Sequence, residues 1–340
     1  MEGKYMKKNM WKIAVAMLLG ASLMACGSGK STSDSGSGDS KAEVSSQAGE
    51  NAKKKIGVLQ YVQHPALDKA NEGFVAALKE AGVDVDIEQE NAGGEQSAAQ
   101  TIANKLVNDK KDLILAIATP AAQAAAGATS DIPVVITAVT DPADSGLVES
   151  NDKPGGNVTG SSDLTPVADQ IELLTKILPD AKNVGILYCT AEANSKLQAG
   201  LAMDALKAKG LNGVEYTVSS SNEIQSVVES MVGKVDAIYV PTDNVIAAGM
   251  TTVAMIATNE HKIPIIGAEA AHVENGALAT YGIDYFEVGK LAGEQAVEIL
   301  NGKAPADIPI AYLPKDKCKL VINDEVAKEL GIDTSNISME

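Results

Sequence analysis

Short apolar runs followed by helical spacing recur along most of this chain, and one such unit occurs twice. Ile56–Leu59 is an apolar run bounded by polar residues, and Leu67, Ala70, Phe74, Leu78 and Ala81 follow at helical spacing. Gly82 then supplies a helix stop. Shifted by 128 positions, the pattern returns from Val184 to Gly210, and the copies share Gly57/Gly185, Leu59/Leu187, Ala77/Ala205, Leu78/Leu206, Lys79/Lys207 and Gly82/Gly210. Both copies read as βα units. Asp112–Pro120 answers to Asp236–Asp243, Ile132–Ile136 to Ile263–Gly267, and, more loosely, Asn157–Asp163 to Ala277–Asp284. Strands alternating with helices, twice over, predict an α/β fold of two similar doubly wound parallel-sheet lobes. The period is too long for a solenoid and marks a duplicated domain.

The first 26 residues stand apart from this pattern. Lys4, Lys7, Lys8 and Lys12 form a basic segment, and Ile13–Leu23 is an apolar stretch too short to span a bilayer comfortably. The stretch ends in Leu23-Met24-Ala25-Cys26, which resembles a bacterial lipobox. Cys26 is therefore expected to be lipidated and to hold the protein on the extracytoplasmic face of the cell membrane. Residues 27–53 are rich in Ser, Gly, Asp and Glu without apolar periodicity, and read as a flexible tether reaching about 30 Å. Gly27-Ser28-Gly29-Lys30-Ser31 imitates the end of a phosphate-binding loop, but Met24 stands where the first glycine belongs.

Charge and composition narrow the function. The formal charge of −17 grows more negative once the basic leader is removed, which disfavours nucleic acid as a partner. The chain has no arginine, and its one tryptophan, Trp11, lies in the leader. Cys189 and Cys318 sit in apolar strand-like contexts and read as buried free thiols. Only His64, His261 and His272 are available as bases, none in a nucleophile motif, and no spacing suits a metal. An enzyme, a metal site and a cofactor are not expected.

In doubly wound sheets, ligands bind outside the carboxyl ends of the strands. Read in order, those ends give Gln60, Tyr61 and His64; Thr119 and Pro120; Thr140 and Asp141; Thr190, Glu192, Asn194 and Ser195; Thr242, Asp243 and Asn244; Glu269; and Asp284 with Tyr285. Any one of the Ser, Thr, Asn and Asp residues is as readily a helix cap. The coincidence of so many polar residues at strand ends in both halves is what points to a binding cleft.

Several motifs then fall in one order: Gln60…His64-Pro65-Ala66-Leu67-Asp68, Ala118-Thr119-Pro120-Ala121-Ala122-Gln123, Val139-Thr140-Asp141-Pro142, Pro154-Gly155-Gly156-Asn157-Val158-Thr159-Gly160, Glu192-Ala193-Asn194-Ser195, Pro241-Thr242-Asp243-Asn244 and Tyr281-Gly282-Ile283-Asp284-Tyr285. Across residues 54–335 the chain resembles the ABC-transporter substrate-binding lipoproteins whose characterised members take tryptophan or tyrosine. The resemblance implies a type I periplasmic-binding-protein fold, with lobes of residues 54–163 plus 286–311 and 164–285 plus 312–340 joined by crossover strands. It also implies a monomer that hands its solute to an ABC permease and its ATPase. Without arginine, an amino acid's carboxylate would be met by a helix N-terminus, at Thr119-Pro120 or Asn194-Ser195. Its ammonium would meet Asp243 or Asp284, with Tyr61, Tyr188 and Tyr285 as candidate aromatic walls. A sugar or nucleoside receptor, or a sensor ectodomain, is the alternative, weakened for sugars by the lack of tryptophan after Cys26.

Overall fold

The computed structural model describes residues 53–339. The leader with Cys26, and all of the tether but Lys53, lie outside the described residues. Two α/β lobes are present. The first sheet contains β1 (Lys54–Gln60), β2 (Val85–Asn91), β3 (Leu113–Ile117), β4 (Val134–Val139) and β5 (Val158–Ser162), in the order β2-β1-β3-β4-β5 and all parallel. The second contains β6 (Asn183–Cys189), β7 (Asn212–Val218), β8 (Ala237–Val240), β9 (Ile265–Gly267) and β10 (Ala279–Gly282) in the equivalent order β7-β6-β8-β9-β10. An antiparallel edge strand, β11 (Lys319–Ile322), is added beyond β10. The repeat seen in the sequence is therefore a repeat of topology, with β1 matched to β6, β3 to β8, β4 to β9 and β5 to β10.

The first lobe carries α1 (Pro65–Glu80), α2 (Gln96–Asn108) and α3 (Thr119–Ala128). The second carries α4 (Val167–Ile177), α5 (Ala193–Ala208), α6 (Ile224–Met231), α7 (Asn244–Ala248), α8 (Met250–Ala254) and α9 (Ala270–Glu274). Then α10 (Tyr285–Leu300) packs on α1, β4 and β5 of the first lobe, while α11 (Asp324–Leu330) joins the core of the second. Strand alternation divides the second lobe into two cores. Leu187 and Ile238 face one helical layer, and their neighbours Ile186 and Tyr239 face the other. After β8 the helical layer is broken into α7, α8 and a π-helical turn at Met255–Glu260.

The chain passes between lobes three times, at residues 163–166, 283–284 and 311–314. The first and third passages are bonded to each other: Ser162 N–H donates to the Ala311 carbonyl at 2.8 Å, and Ala311 N–H to that of Gly160 at 2.9 Å. The second passage is fixed by the close contact of α10 with α1. A Cβ on Gly289 would overlap the Ala70 carbonyl, and one on Gly73 would overlap that of Phe286. Both helices need glycine at this crossing because backbone, which cannot move aside, fills the space.

That contact sets a stability test. Gly289→Ala should destabilise the protein by about 1–3 kcal/mol or more, because the added methyl meets rigid backbone. Gly200 in α5 faces open space, so Gly200→Ala should raise stability by up to about 1 kcal/mol. Urea unfolding of both variants checks the pair, and equal effects would contradict the packing described.

Candidate functional site

Polar side chains from both lobes converge where the carboxyl ends of the two sheets meet. His64, at the start of α1, is buried, and its Nε2 lies 3.5 Å from Asn244 Oδ1 in the other lobe. Thr140, just past β4, donates to Asp163 Oδ1 at 3.0 Å and accepts from Gln198 Nε2 at 3.0 Å across the junction. Gln198 also donates to the Thr242 hydroxyl. Asp163 opens the first crossover and accepts a second bond, of 2.7 Å, from the Tyr285 hydroxyl. Asn194, on α5, donates to the Thr242 carbonyl at 2.9 Å. His64, Asn244, Asp163, Tyr285, Asn194 and Thr242 line a tightly closed pocket of about 10 Å³, to which Leu67 and Ala138 add the apolar surface.

Four carboxylates lie in this junction: Asp163, Glu192, Asp243 and Glu269, each nearly or fully removed from water. Among the described residues none is paired with a lysine; the only basic groups near them are His64 and His272, which approach Glu269. Burial holds both imidazoles neutral, His64 down to about 4 and His272 down to about 3. Desolvation also dominates the acids. It raises Asp163 and Asp243 above the usual carboxylate range, and pushes Glu192 and Glu269 up to about 8.

The four differ in how well the protein itself satisfies them. Asp243 caps α7 by accepting from Ile246 N–H at 2.8 Å, and its other oxygen accepts from Cys189 N–H at 2.6 Å. Glu192 accepts from the backbone of Asn244 and Val245, and from the Asn194 and Asn244 side chains. These two carboxylates are occupied in holding the second lobe together. Glu269 Oε1 has no hydrogen-bond partner, and its nearest imidazole nitrogens stand at 3.4 and 3.9 Å without bonding geometry. His64 Nδ1, Asn194 Oδ1 and Thr119 Oγ1 are buried and unpartnered as well. A buried polar group without a partner costs about 1–3 kcal/mol, and three of these, on Glu269, His64 and Asn194, belong to residues lining one pocket, which favours an external partner there.

Thr119 stands at the N-terminus of α3, with Pro120 in the first turn, and the preceding Ala118 has φ 82°. Ala138, at the end of the adjacent strand, has φ 55°. Both are left-handed conformations that cost a non-glycine residue about 1–3 kcal/mol, and such strain concentrates at functional sites.

Of the residues expected at strand ends, His64, Asn194, Thr242, Asp243, Asn244, Glu269 and Tyr285 line the pocket. Thr140, Glu192 and Ser195 lie buried directly behind it, and Thr119-Pro120 sits at the neighbouring strand end. Gln60 is turned inward to Asp68 and the Val62 carbonyl, and supports the loop. Three of the expected residues lie outside the lining of this pocket. Asp284 caps α10 through Phe286 N–H and approaches Lys319 at 3.6 Å, on the outer side of the crossover. Asp141 closes an Asx turn with Ala143 and Asp144 and binds Asn151. Thr190 is directed to the Val218 carbonyl. Asp243 does belong to the pocket, but two backbone amides already hold its carboxylate. Tyr188 donates to Glu215 on β7 and serves the second lobe's core rather than the cleft. Asp163 and Gln198 were not anticipated. Asp163 ends a strand exactly like the other candidates did, and Gln198 lies one helical turn beyond Asn194 on the same face, so the same two rules would have found them.

Further out between the lobes is a larger space of about 400 Å³, open to solvent and walled by Tyr61 and Val62 on one side and Cys189 and Val245 on the other. The Tyr61 hydroxyl is tied to the Gly94 carbonyl at 2.7 Å, which fixes the ring as a wall.

Residues 55–339 match the family model for ABC transporter substrate binding proteins. A tyrosine-binding protein of Clostridioides difficile is 43% identical over 329 residues, spanning 96% of this chain and 93% of its own. The crystal structure of an ABC domain from Streptococcus pneumonia in complex with L-Trp superposes with a TM-score of 0.81 at 42% identity, covering 84% of this chain and 97% of that one. The ligand-free, open structure of a substrate-binding protein with adhesive properties from Clostridium difficile is 46% identical and covers 83% and 97%, yet reaches a TM-score of only 0.63. With the fold and residues 55–339 matched in this way, the protein belongs to the family of ABC transporter substrate-binding proteins.

Proposed function

We propose that the protein is the extracytoplasmic solute receptor of an ABC importer, and that its solute is a free aromatic amino acid, tyrosine or tryptophan. The observation that carries this reading is the group of four buried carboxylates without a lysine, one of which, Glu269, has an oxygen with no partner. An ammonium group is the complement of such a site. Glu269 and Asp163 are the carboxylates placed to receive it, since Asp243 and Glu192 are committed to backbone amides. The carboxylate end goes to the Thr119 hydroxyl and the free N–H groups that open α3, because a helix N-terminus receives an anion without arginine. The ring extends toward the outer space beside Tyr61. A sugar or nucleoside would bring no cation and would leave the carboxylates unpaired. The names of the two relatives, tyrosine-binding and tryptophan-bound, support the same class of solute.

No chemistry is required of the cleft, and we read the protein as a carrier rather than an enzyme. Ligand bridging between lobes favours the closed form by as much as the ligand's preference for it. The lipobox-like Leu23-Met24-Ala25-Cys26 supports a lipid anchor, with the tether holding a monomeric receptor near its permease and ATPase.

Titration with tyrosine and tryptophan tests the site. Glu269→Gln should weaken binding a hundredfold or more, since a buried ammonium left without its partner costs about 3–5 kcal/mol. Its circular-dichroism melt should stay near that of the wild type. If Glu269→Gln and Asp163→Asn both bind like the wild type, the ammonium lies elsewhere. For the anchor, Cys26→Ala should move the protein from the membrane fraction to the medium or leave it unprocessed, and an unlipidated Cys26 in wild type by mass spectrometry would exclude it.

A further inference from the structure

A second cavity lies behind the hinge, separate from the solute cleft. It has a volume of about 400 Å³ and is bounded by the start of α1, by α9, by the second crossover, and by β10 and β11. The antiparallel register defines its floor. Thr280 lies opposite Val321 and Gly282 opposite Lys319, so these four residues share one face of the strand pair. Gly282 puts no side chain on this floor, and a Cβ there would meet the Ala268 carbonyl at 2.9 Å and Thr280 Oγ1 at 3.4 Å. That hydroxyl is fully buried and has no hydrogen-bond partner. Pro65, Ala270, Ile283 and Phe286 make the walls apolar.

The charges at the rim are largely spent on one another. Lys319 faces Asp284 at 3.6 Å, and Lys69 faces Glu72 at 3.2 Å, which leaves Glu274 as the unpaired rim charge. No cation is free to fix an anion, and nothing else at the rim selects a charged occupant. Apolar walls and one buried hydroxyl suit a neutral flat molecule with a single hydrogen-bonding group. Tyr285 separates the two sites, since its ring borders this cavity while its hydroxyl bonds Asp163 in the solute cleft.

We propose that this hinge cavity is a second small-molecule site, and that it takes a neutral aromatic alcohol whose hydroxyl pairs with Thr280. The site stands independently of the solute proposed for the cleft. Its probe is 2-naphthol, whose fluorescence is read easily because the described residues contain no tryptophan. Saturable binding should persist when tyrosine and tryptophan are both present in excess, which separates the hinge cavity from the cleft. Ala270→Phe, which fills the cavity, should abolish binding. Thr280→Val should weaken it about fivefold to tenfold, and should leave the melting temperature unchanged or higher because an unpaired buried hydroxyl is removed. Absence of saturable binding, displacement of 2-naphthol by the amino acids, or undiminished binding to a folded Thr280→Val protein would overturn the proposal.

Discussion

Carboxylates buried without cations are the constraint on which this molecule turns. Removing a charge from water costs several kcal/mol, and a protein recovers that cost through hydrogen bonds, ion pairs or protonation. A chain without arginine has fewer means of recovery, and lysines such as Lys105, Lys176 and Lys290 are paired with acids away from the cleft. Asp243 and Glu192 are stabilised by backbone amides, so they act as internal fasteners of the second lobe. Glu269 has no such support on one oxygen. Burial therefore drives it toward the protonated form, and a bound ammonium would draw it back to the ionised one. On the proposed function, the ammonium of the solute supplies the partner that this buried oxygen lacks.

The scaffold serves that junction. Two sheets of equivalent strand order present their carboxyl ends to one another. Three crossings keep the lobes in register, two of them bonded side by side and the third clamped by the glycine contact of α1 with α10. The left-handed Ala118 and Ala138 turn the first lobe's strand ends into the cleft, and the rest of the sheet supplies the stability that tolerates this strain. Where the second lobe meets the site, α7 is short and begins at Asp243 itself, so the cap of a helix and the wall of the pocket are one residue.

Much of this was legible in the sequence because periodicity and strand ends obey local rules. The duplicated apolar runs gave the two sheets, and polar residues after each strand gave most of the pocket. What local rules do not reveal is which acid the backbone has already satisfied. Asp243 and Glu269 look alike in sequence, each following a buried strand and preceding a helix. Only the fold brings Cys189 N–H to the first and leaves an oxygen of the second bare. Asp284 also follows a strand, and the sequence does not reveal that the second crossover brings its side chain to Lys319. The broken helix after β8 and the two strained alanines carry no sequence signal, since both are imposed by packing at the junction.

The most direct test of this dependence is calorimetric titration with tyrosine and with 3-(4-hydroxyphenyl)propionate, which keeps the ring and the carboxylate but lacks the ammonium. Loss of the ammonium should weaken binding at least a hundredfold, about 2.7 kcal/mol or more. Equal affinity for the two compounds would show that the buried carboxylates are not waiting for a cation, and would contradict the pairing of the solute's ammonium with Glu269.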